Sequence, residues 1–153
     1  MAIFTESICL NWFNEANNTY GIKFATAETQ IVDRYNGNIF SDKKVIQAIN
    51  NAWPQIQKYR DEFIEDKLDT WYQDENGNYE YGANTVEKVL KFATLDIISG
   101  IRYDDGKISI EVWYNSKFTR KDAEKFFGGH SLIIGFYIQS NYKVTDMECE
   151  LAG

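Results

Sequence analysis

The sequence contains little proline, histidine or cysteine: its 153 residues include one proline, one histidine and two cysteines. Because His130 is the only histidine, the metal motifs that need two histidines are excluded. Cys9 and Cys149 have neither metal-type spacing nor the density of a disulfide scaffold. We therefore expect two buried free thiols, unless antiparallel terminal strands bring them together. The sequence predicts no metal site and no cofactor.

Long apolar runs and clusters of basic residues are also absent. No run approaches the roughly 18 apolar residues that span a bilayer. The N-terminal stretch MAIFTESICLNWF lacks the basic region, apolar core and cleavage site of a secretory signal. We therefore expect a cytoplasmic protein without a membrane partner. The basic residues are scattered and the formal net charge is −7, so nucleic-acid binding, which requires basic patches, is not expected.

The apolar and aromatic content is sufficient for one core. Apolar residues make up 44% of the chain and aromatic residues 16%, and at this length folding hides roughly 70% of the unfolded surface. No linker, repeat or low-complexity tract interrupts the chain, so residues 1–153 are predicted to form a single domain. Aromatic side chains left at the surface would be available as anchors for a partner protein.

Several segments have the alternation and β-branched content of strands. Residues 7–14 and 20–26 predict a hairpin, and residues 29–35 predict a further strand. The segments LDIISGIRY and KISIEVWYN flank Asp104-Asp105-Gly106, which is a strong hairpin signal. SLIIGFYIQ and KVTDMECEL form another pair around Ser140-Asn141. The sheet is therefore expected to be antiparallel.

A helical repeat of apolar residues separates these groups of strands. It begins after Ser41 or Asp42, either of which would cap it, and it fades near Tyr72. Near its end, Phe63, Ile64, Leu68 and Trp71 are predicted to face inward. Trp71 and Tyr72 could either anchor a partner or pack the end of the helix onto the sheet. Pro54 lies inside the repeat, where we expect a bend or a break. A second short helix is predicted to begin near Thr85. The fold class is α+β: an antiparallel sheet of about five to seven strands with a long bent or broken helix and a second short helix on one face.

Residues 61–80, DEFIEDKLDTWYQDENGNYE, carry the whole formal charge of the chain. They hold eight carboxylates and one lysine, whereas the remaining residues include 15 acidic and 15 basic side chains. On a helix, Asp61, Glu65 and Asp69 lie on one face, and each close like-charge pair costs a few tenths of a kcal/mol. This repulsion is consistent with either a landing face for a basic partner or a solubilising surface.

The turn within this segment resembles a calcium-binding loop only in part. With Gly77 at the sixth loop position, Tyr72 occupies the first position and Ala83 the twelfth, where acidic ligands are required. The pattern fails at both positions, so a metal is not predicted.

Catalytic patterns are equally incomplete. His130 and Ser131 are adjacent at the start of a strand, so their side chains point to opposite faces and cannot easily form a nucleophile and base. We expect His130 to be hydrogen-bonded in a structural role. Gly128-Gly129 matches no phosphate loop and predicts a positive-φ turn. Asp96 and Glu111 are conceivable partners in a carboxylate pair, but Glu111 alternates with Ile110 and Val112 and is expected on a solvent face.

The second half of the chain resembles a family of small uncharacterised bacterial proteins. The resemblance covers about residues 85–153: a short helix, a hairpin, an aromatic-Gly-His-Ser stretch that opens a strand, and a final strand that ends on glycine. Members of such families are often encoded beside polymorphic toxins and are interpreted as immunity proteins, which bind a cognate toxin without catalysis. The resemblance rests on Phe127, Gly129, His130, Ser131 and Gly153, and it implies no active site.

We therefore expect a non-catalytic, immunity-type protein that neutralises a cognate toxin with a basic surface, for instance a nuclease with a basic cleft. It would be a monomer or weak homodimer. The alternative is a small hydrolase or ligand-binding domain that uses His130 with a carboxylate from the sheet. The predicted partner-binding residues lie on the acidic segment: Asp61, Glu62, Glu65, Asp66, Asp69, Trp71, Tyr72, Asp74 and Glu75.

Overall fold

The chain folds as one seven-stranded sheet with helices, in a computed structural model that describes residues 11–14, 19–23, 30–34, 39–117 and 123–153. The order of strands across the sheet follows the sequence. The predicted α+β class is confirmed. The strands are β1 (Asn11–Asn14), β2 (Thr19–Lys23), β3 (Gln30–Arg34), β4 (Ala93–Arg102), β5 (Ile108–Ser116), β6 (Ser131–Ile138) and β7 (Val144–Ala152), and the helices are α1 (Lys43–Trp71) and α2 (Val86–Leu90).

Five of the six neighbouring strand pairs are antiparallel, as predicted, but β3 and β4 are parallel. The expectation of a wholly antiparallel sheet was therefore wrong at this pair. The two strands are joined by a long connection that contains both α1 and α2. A parallel pair requires a crossover of a dozen or more residues, which is usually helical, and this connection provides it.

Of the bend or break predicted at Pro54, the break does not occur, because helix α1 is one continuous element of 29 residues that includes Pro54. Pro54 is exposed, and its ring therefore lies away from the packed side of the helix. Asp42 is the N-cap, and its side chain accepts a hydrogen bond from the Lys44 backbone N–H at 2.9 Å. Shortly before this cap, the buried Ile39 donates its backbone N–H to the buried Asp33 carboxylate at 2.7 Å.

The two faces of the sheet differ because side chains alternate along each strand. On β5, Ile108, Ile110 and Val112 are buried, whereas Ser109 and Glu111 are partly exposed on the opposite face. Helix α1 contacts β6 and β7, and its buried residues belong to the same core as those of β5. The prediction of Glu111 on the solvent side is confirmed.

The predicted turns are present where the structure describes them. Asp104-Asp105-Gly106 connects β4 to β5, Ser140-Asn141 lies between β6 and β7, and Gly128 and Gly129 have φ of 63° and 90°. The turn between β1 and β2, residues 36–38 and Cys9 lie outside the described residues. Cys149 is a free, half-buried thiol, and burial raises its pKa to about 12. Among the described residues, no helix is long and apolar enough to cross a bilayer.

Candidate partner-binding surface

The last turns of α1 have an apolar inner face and an acidic outer face. Ile64 and Leu68 are buried in the core, whereas Glu65, Asp66 and Asp69 are exposed. Positions three and four residues apart lie on the same side of a helix, so the three carboxylates project together. We call Asp61, Glu62, Glu65, Asp66 and Asp69 the acidic helix face.

Basic residues neutralise only the first part of this face. The Arg60 guanidinium donates to the Asp61 carboxylate at 2.8 Å, and Lys58 lies 3.8 Å from Glu62 in a solvent-exposed pair. Such exposed pairs contribute little to stability. Within the described part of the chain, no cation lies within ion-pair distance of Glu65 or Asp66. The uncompensated charge is therefore concentrated toward the C-terminal end of α1.

Arg60 also connects the start of the face to the sheet. It donates to the Tyr114 hydroxyl at 3.1 Å, and its guanidinium lies 5.3 Å from the centre of the Tyr114 ring. Burial raises the pKa of Tyr114, while the adjacent Arg60 charge opposes that rise. Asp61 is thus held by a side chain that is itself anchored, which leaves it less free to meet a partner than Glu65.

Asp69 connects the helix to the segment that follows it. The Tyr79 hydroxyl donates to the Asp69 carboxylate at 2.7 Å. This hydrogen bond, then desolvation, and then the nearby charges of Asp69 and Glu65 raise the pKa of Tyr79. A phenol that resists ionisation beside two carboxylates is the expected response to a negative local potential.

The turn after α1 presents two further carboxylates in different ways. Asp74 Oδ1 accepts hydrogen bonds from the backbone N–H groups of Asn76 and Asn78, both at 2.9 Å. This carboxylate therefore closes the turn, as Asp side chains commonly do, whereas the exposed Glu75 carboxylate has no such hydrogen bond among the described residues. In the ranges that the structure describes, no group of three acidic, histidine or cysteine side chains is placed to hold a metal ion.

Trp71 and Tyr72, both predicted at the binding surface, have different surroundings. Trp71 is 37% exposed and Tyr72 is 3% exposed. The Tyr72 hydroxyl donates to the Lys125 carbonyl at 2.7 Å and accepts from the Phe127 N–H at 2.8 Å. Burial raises the pKa of Tyr72 to about 12. Tyr72 therefore has the alternative role of packing the helix end onto the fold, and it is not open to a partner.

Trp71 lies at the surface beside His130. The two rings meet edge to face with centroids 5.3 Å apart. The rings of Trp71 and Phe127 also meet edge to face, with centroids 5.7 Å apart. Trp71 is thus held in one orientation by aromatic neighbours while part of its ring is exposed to solvent. A rigid, partly exposed tryptophan beside a charged surface is a typical interface anchor.

His130 has the hydrogen bond expected of a structural residue. Its Nδ1 lies 2.8 Å from the Phe127 carbonyl oxygen. The neighbouring Ser131 hydroxyl instead donates to Asn115, and Asn115 donates to the Asp96 carboxylate at 2.7 Å. His130 and Ser131 therefore do not form a nucleophile and base, and Asp96 belongs to the serine's hydrogen-bond chain. Among the described residues, no hydrogen bond joins His130 to a carboxylate of the sheet.

A second acidic surface, which the sequence reasoning missed, lies on the outer face of the sheet. The strand register places Glu111, Gly135 and Glu148 side by side on β5, β6 and β7. Because Gly135 has no side chain, the two carboxylates border a shallow hollow, which Glu150 and Asp146 also line. The alternating acids in DMECE were the available signal, since period two places them all on one face.

Comparison of the chain with protein-family models, with curated proteins and with solved structures gave no significant match. The functional interpretation therefore rests on the charges and contacts of the chain itself. Two surfaces stand out: the acidic helix face with Trp71, and the carboxylates that accompany β7.

Proposed function

We propose that this protein is a non-catalytic, immunity-type inhibitor that binds a basic toxin through the acidic helix face. The observation that carries the proposal is the exposed charge of Glu65 and Asp66 next to Asp69, for which the described residues provide no cation within ion-pair distance. A purely solvated helix face usually mixes charges of both signs, whereas the one basic residue among these carboxylates, Lys67, has its Nζ over the Phe63 ring. The adjacent Trp71 supplies the apolar anchor that a charged surface alone lacks.

The chemistry of the partner follows from that charge. A toxin that acts on nucleic acid needs a cationic cleft for phosphate, and an acidic inhibitor can occupy that cleft in place of the substrate. Opposite charges also steer the two proteins together, so association is fast and weakens as salt is added. A nuclease is accordingly the favoured class of toxin.

Trp71 would contribute mainly to the affinity of the complex, whereas the carboxylates would mainly raise its association rate. Interface energy is concentrated in a few aromatic and arginine side chains, while charged residues at the rim mainly affect association rates. Trp71 lies at the end of α1, next to the acidic turn at Asp74 and Glu75. The proposed contact therefore runs from Glu65 along the last turns of the helix to this turn.

Co-expression with the protein encoded beside this gene tests the proposal. The wild-type chain should capture that protein in a pull-down and rescue cells from its toxicity. Glu65→Lys combined with Asp69→Lys should weaken capture at least tenfold, because two favourable charge contacts become repulsive. Trp71→Ala should mainly increase the dissociation rate.

The matched control is Glu87→Lys combined with Asp104→Lys, which changes the net charge equally at two exposed positions that do not belong to the acidic helix face. Circular dichroism should show that both double variants remain folded. Equal capture by the two double variants would refute the acidic helix face as the contact surface. Capture without rescue would refute the inhibitory role.

A further inference from the structure

The last strand, β7, forms one edge of the sheet. It pairs with β6 on one side, and no described strand pairs with it on the other. An edge strand leaves backbone N–H and C=O groups unpaired, so it can accept an added strand from another chain. Beyond the bulge opposite Gly135 and Tyr137, the regular part of β7 runs from Glu148 to Ala152.

The side chains of this edge alternate in chemistry as well as in direction. Glu148 and Glu150 are exposed on the outer face, whereas Cys149 and Leu151 are half-buried on the side that packs against the core. A strand added beside β7 would place its own alternating side chains next to these two rows. Basic side chains would complement the row of Glu148 and Glu150, and apolar side chains would complement the row of Cys149 and Leu151.

Pairing of two copies through β7 is electrostatically disfavoured. In an antiparallel pair centred on Cys149, Glu148 of one copy would lie opposite Glu150 of the other, and like charges directly opposite each other destabilise a sheet. Asp146, which adopts a left-handed φ of 58° at the bulge, adds both charge and irregularity at the start of the strand. These features protect the edge from self-association but do not repel a strand of opposite charge.

We propose that Glu148–Ala152 of β7 accepts an extended segment of alternating basic and apolar residues from the partner protein. Its basic side chains lie beside Glu148 and Glu150, and its apolar side chains lie beside Cys149 and Leu151. This inference deepens the proposed function, on which it rests, by naming a second contact and the kind of toxin segment that makes it. The surface is separate from the acidic helix face.

A synthetic nine-residue peptide of alternating lysine and valine, labelled with a fluorophore, tests the proposal. It should bind the full chain and shift the backbone amide resonances of β7 in nuclear magnetic resonance spectra. Two further peptides carry N-methyl groups on alternate residues, in opposite phases. Because alternate backbone N–H groups of a strand point to opposite edges, only one of these two peptides is methylated at the N–H groups that face β7. That peptide should lose binding, and the other should retain it. An alternating glutamate and valine peptide should not bind.

Variants of the protein separate this contact from the first. Glu148→Lys combined with Glu150→Lys should weaken lysine peptide binding about tenfold or more, since two exposed charge contacts are reversed. Glu65→Lys combined with Asp69→Lys should leave it unchanged. Equal binding of both N-methylated peptides would overturn the edge proposal, as would resonance shifts confined to α1. Neither result would contradict the proposed function. Loss of toxin capture only in the α1 variant would also overturn the edge contact, whereas dimerisation of the chain through β7 would contradict the argument from like charges.

Discussion

The inner and outer faces of the last turns of α1 show how one helix separates stability from recognition. On the inner face, Ile64, Leu68 and Tyr72 are buried and contact the core. On the outer face, Glu65, Asp66 and Asp69 are exposed, and the first two have no cationic partner in the described residues. Neighbouring positions in the sequence therefore serve stability on one face and partner binding on the other. Substitutions on the inner face should mainly lower stability, and substitutions on the outer face should mainly weaken binding.

Truncation on the inner face should have the largest effect. Ile64→Ala is expected to lower the free energy of unfolding by about 2–5 kcal/mol, because it leaves a cavity in a packed core. Glu65→Ala, one position later, should change it by no more than about 0.5 kcal/mol. Urea unfolding followed by circular dichroism measures both values. Similar losses at the two positions would contradict the division between the faces.

Removing the Tyr72 hydroxyl should cost less. Tyr72→Phe keeps the ring but leaves the Phe127 N–H and the Lys125 carbonyl without this partner, and an unsatisfied buried group costs about 1–3 kcal/mol. Amide hydrogen exchange should be faster around residues 125–130, which the hydroxyl connects to α1. Toxin capture should be unchanged, because Tyr72 is buried. Trp71→Ala provides the matched comparison, with weaker capture and a smaller change in stability.

The contrast between Trp71 and Tyr72 also shows what the sequence could predict. Apolar spacing identified Ile64 and Leu68 as inward-facing, because helical period and burial are local properties. The same spacing predicted that Trp71 faces inward and left open whether Tyr72 packs or binds. The deciding contacts come from residues 125–130, more than fifty positions along the chain, and periodicity carries no information about them.

The same distinction holds for the sheet. The turn residues at Asp104-Asp105-Gly106 predicted a hairpin because the pairing is local. The parallel pairing of β3 with β4 depends on the long connection through α1 and α2, so the strand pattern alone did not show it. The acidic row of β7 was visible as alternation, but its place at a sheet edge depends on the order of all seven strands.

The free energy of unfolding should fall at alkaline pH, because buried groups of the core have raised pKa values. Burial raises the pKa of Tyr72 to about 12, from 10.0 in the unfolded chain. Its stabilising contribution is therefore complete below about pH 10 and is lost as the pH rises toward 12, because the unfolded state releases its proton first. Tyr114 and Cys149, whose pKa values burial also raises, should act in the same direction.

Unfolding by urea at intervals between pH 9 and pH 12 measures this dependence. Each proton retained only by the folded state lowers the free energy of unfolding by at most about 1.4 kcal/mol per pH unit. The decline should be shallower in Tyr72→Phe, which lacks the group. An identical slope in the two proteins would show that Tyr72 ionises equally in the folded and unfolded states.

Neutralising the outer face should produce the smallest change in stability, with a sign opposite to its effect on binding. Glu65→Gln removes repulsion from Asp61 and Asp69, each four residues away, and should raise the free energy of unfolding by about 0.2–0.5 kcal/mol. The gain should shrink in concentrated salt, which screens exposed charges. The same variant should associate more slowly with a basic toxin. A charge that only aided solubility would give the first effect without the second, so measuring both in one variant distinguishes a retained binding surface from a solvated one.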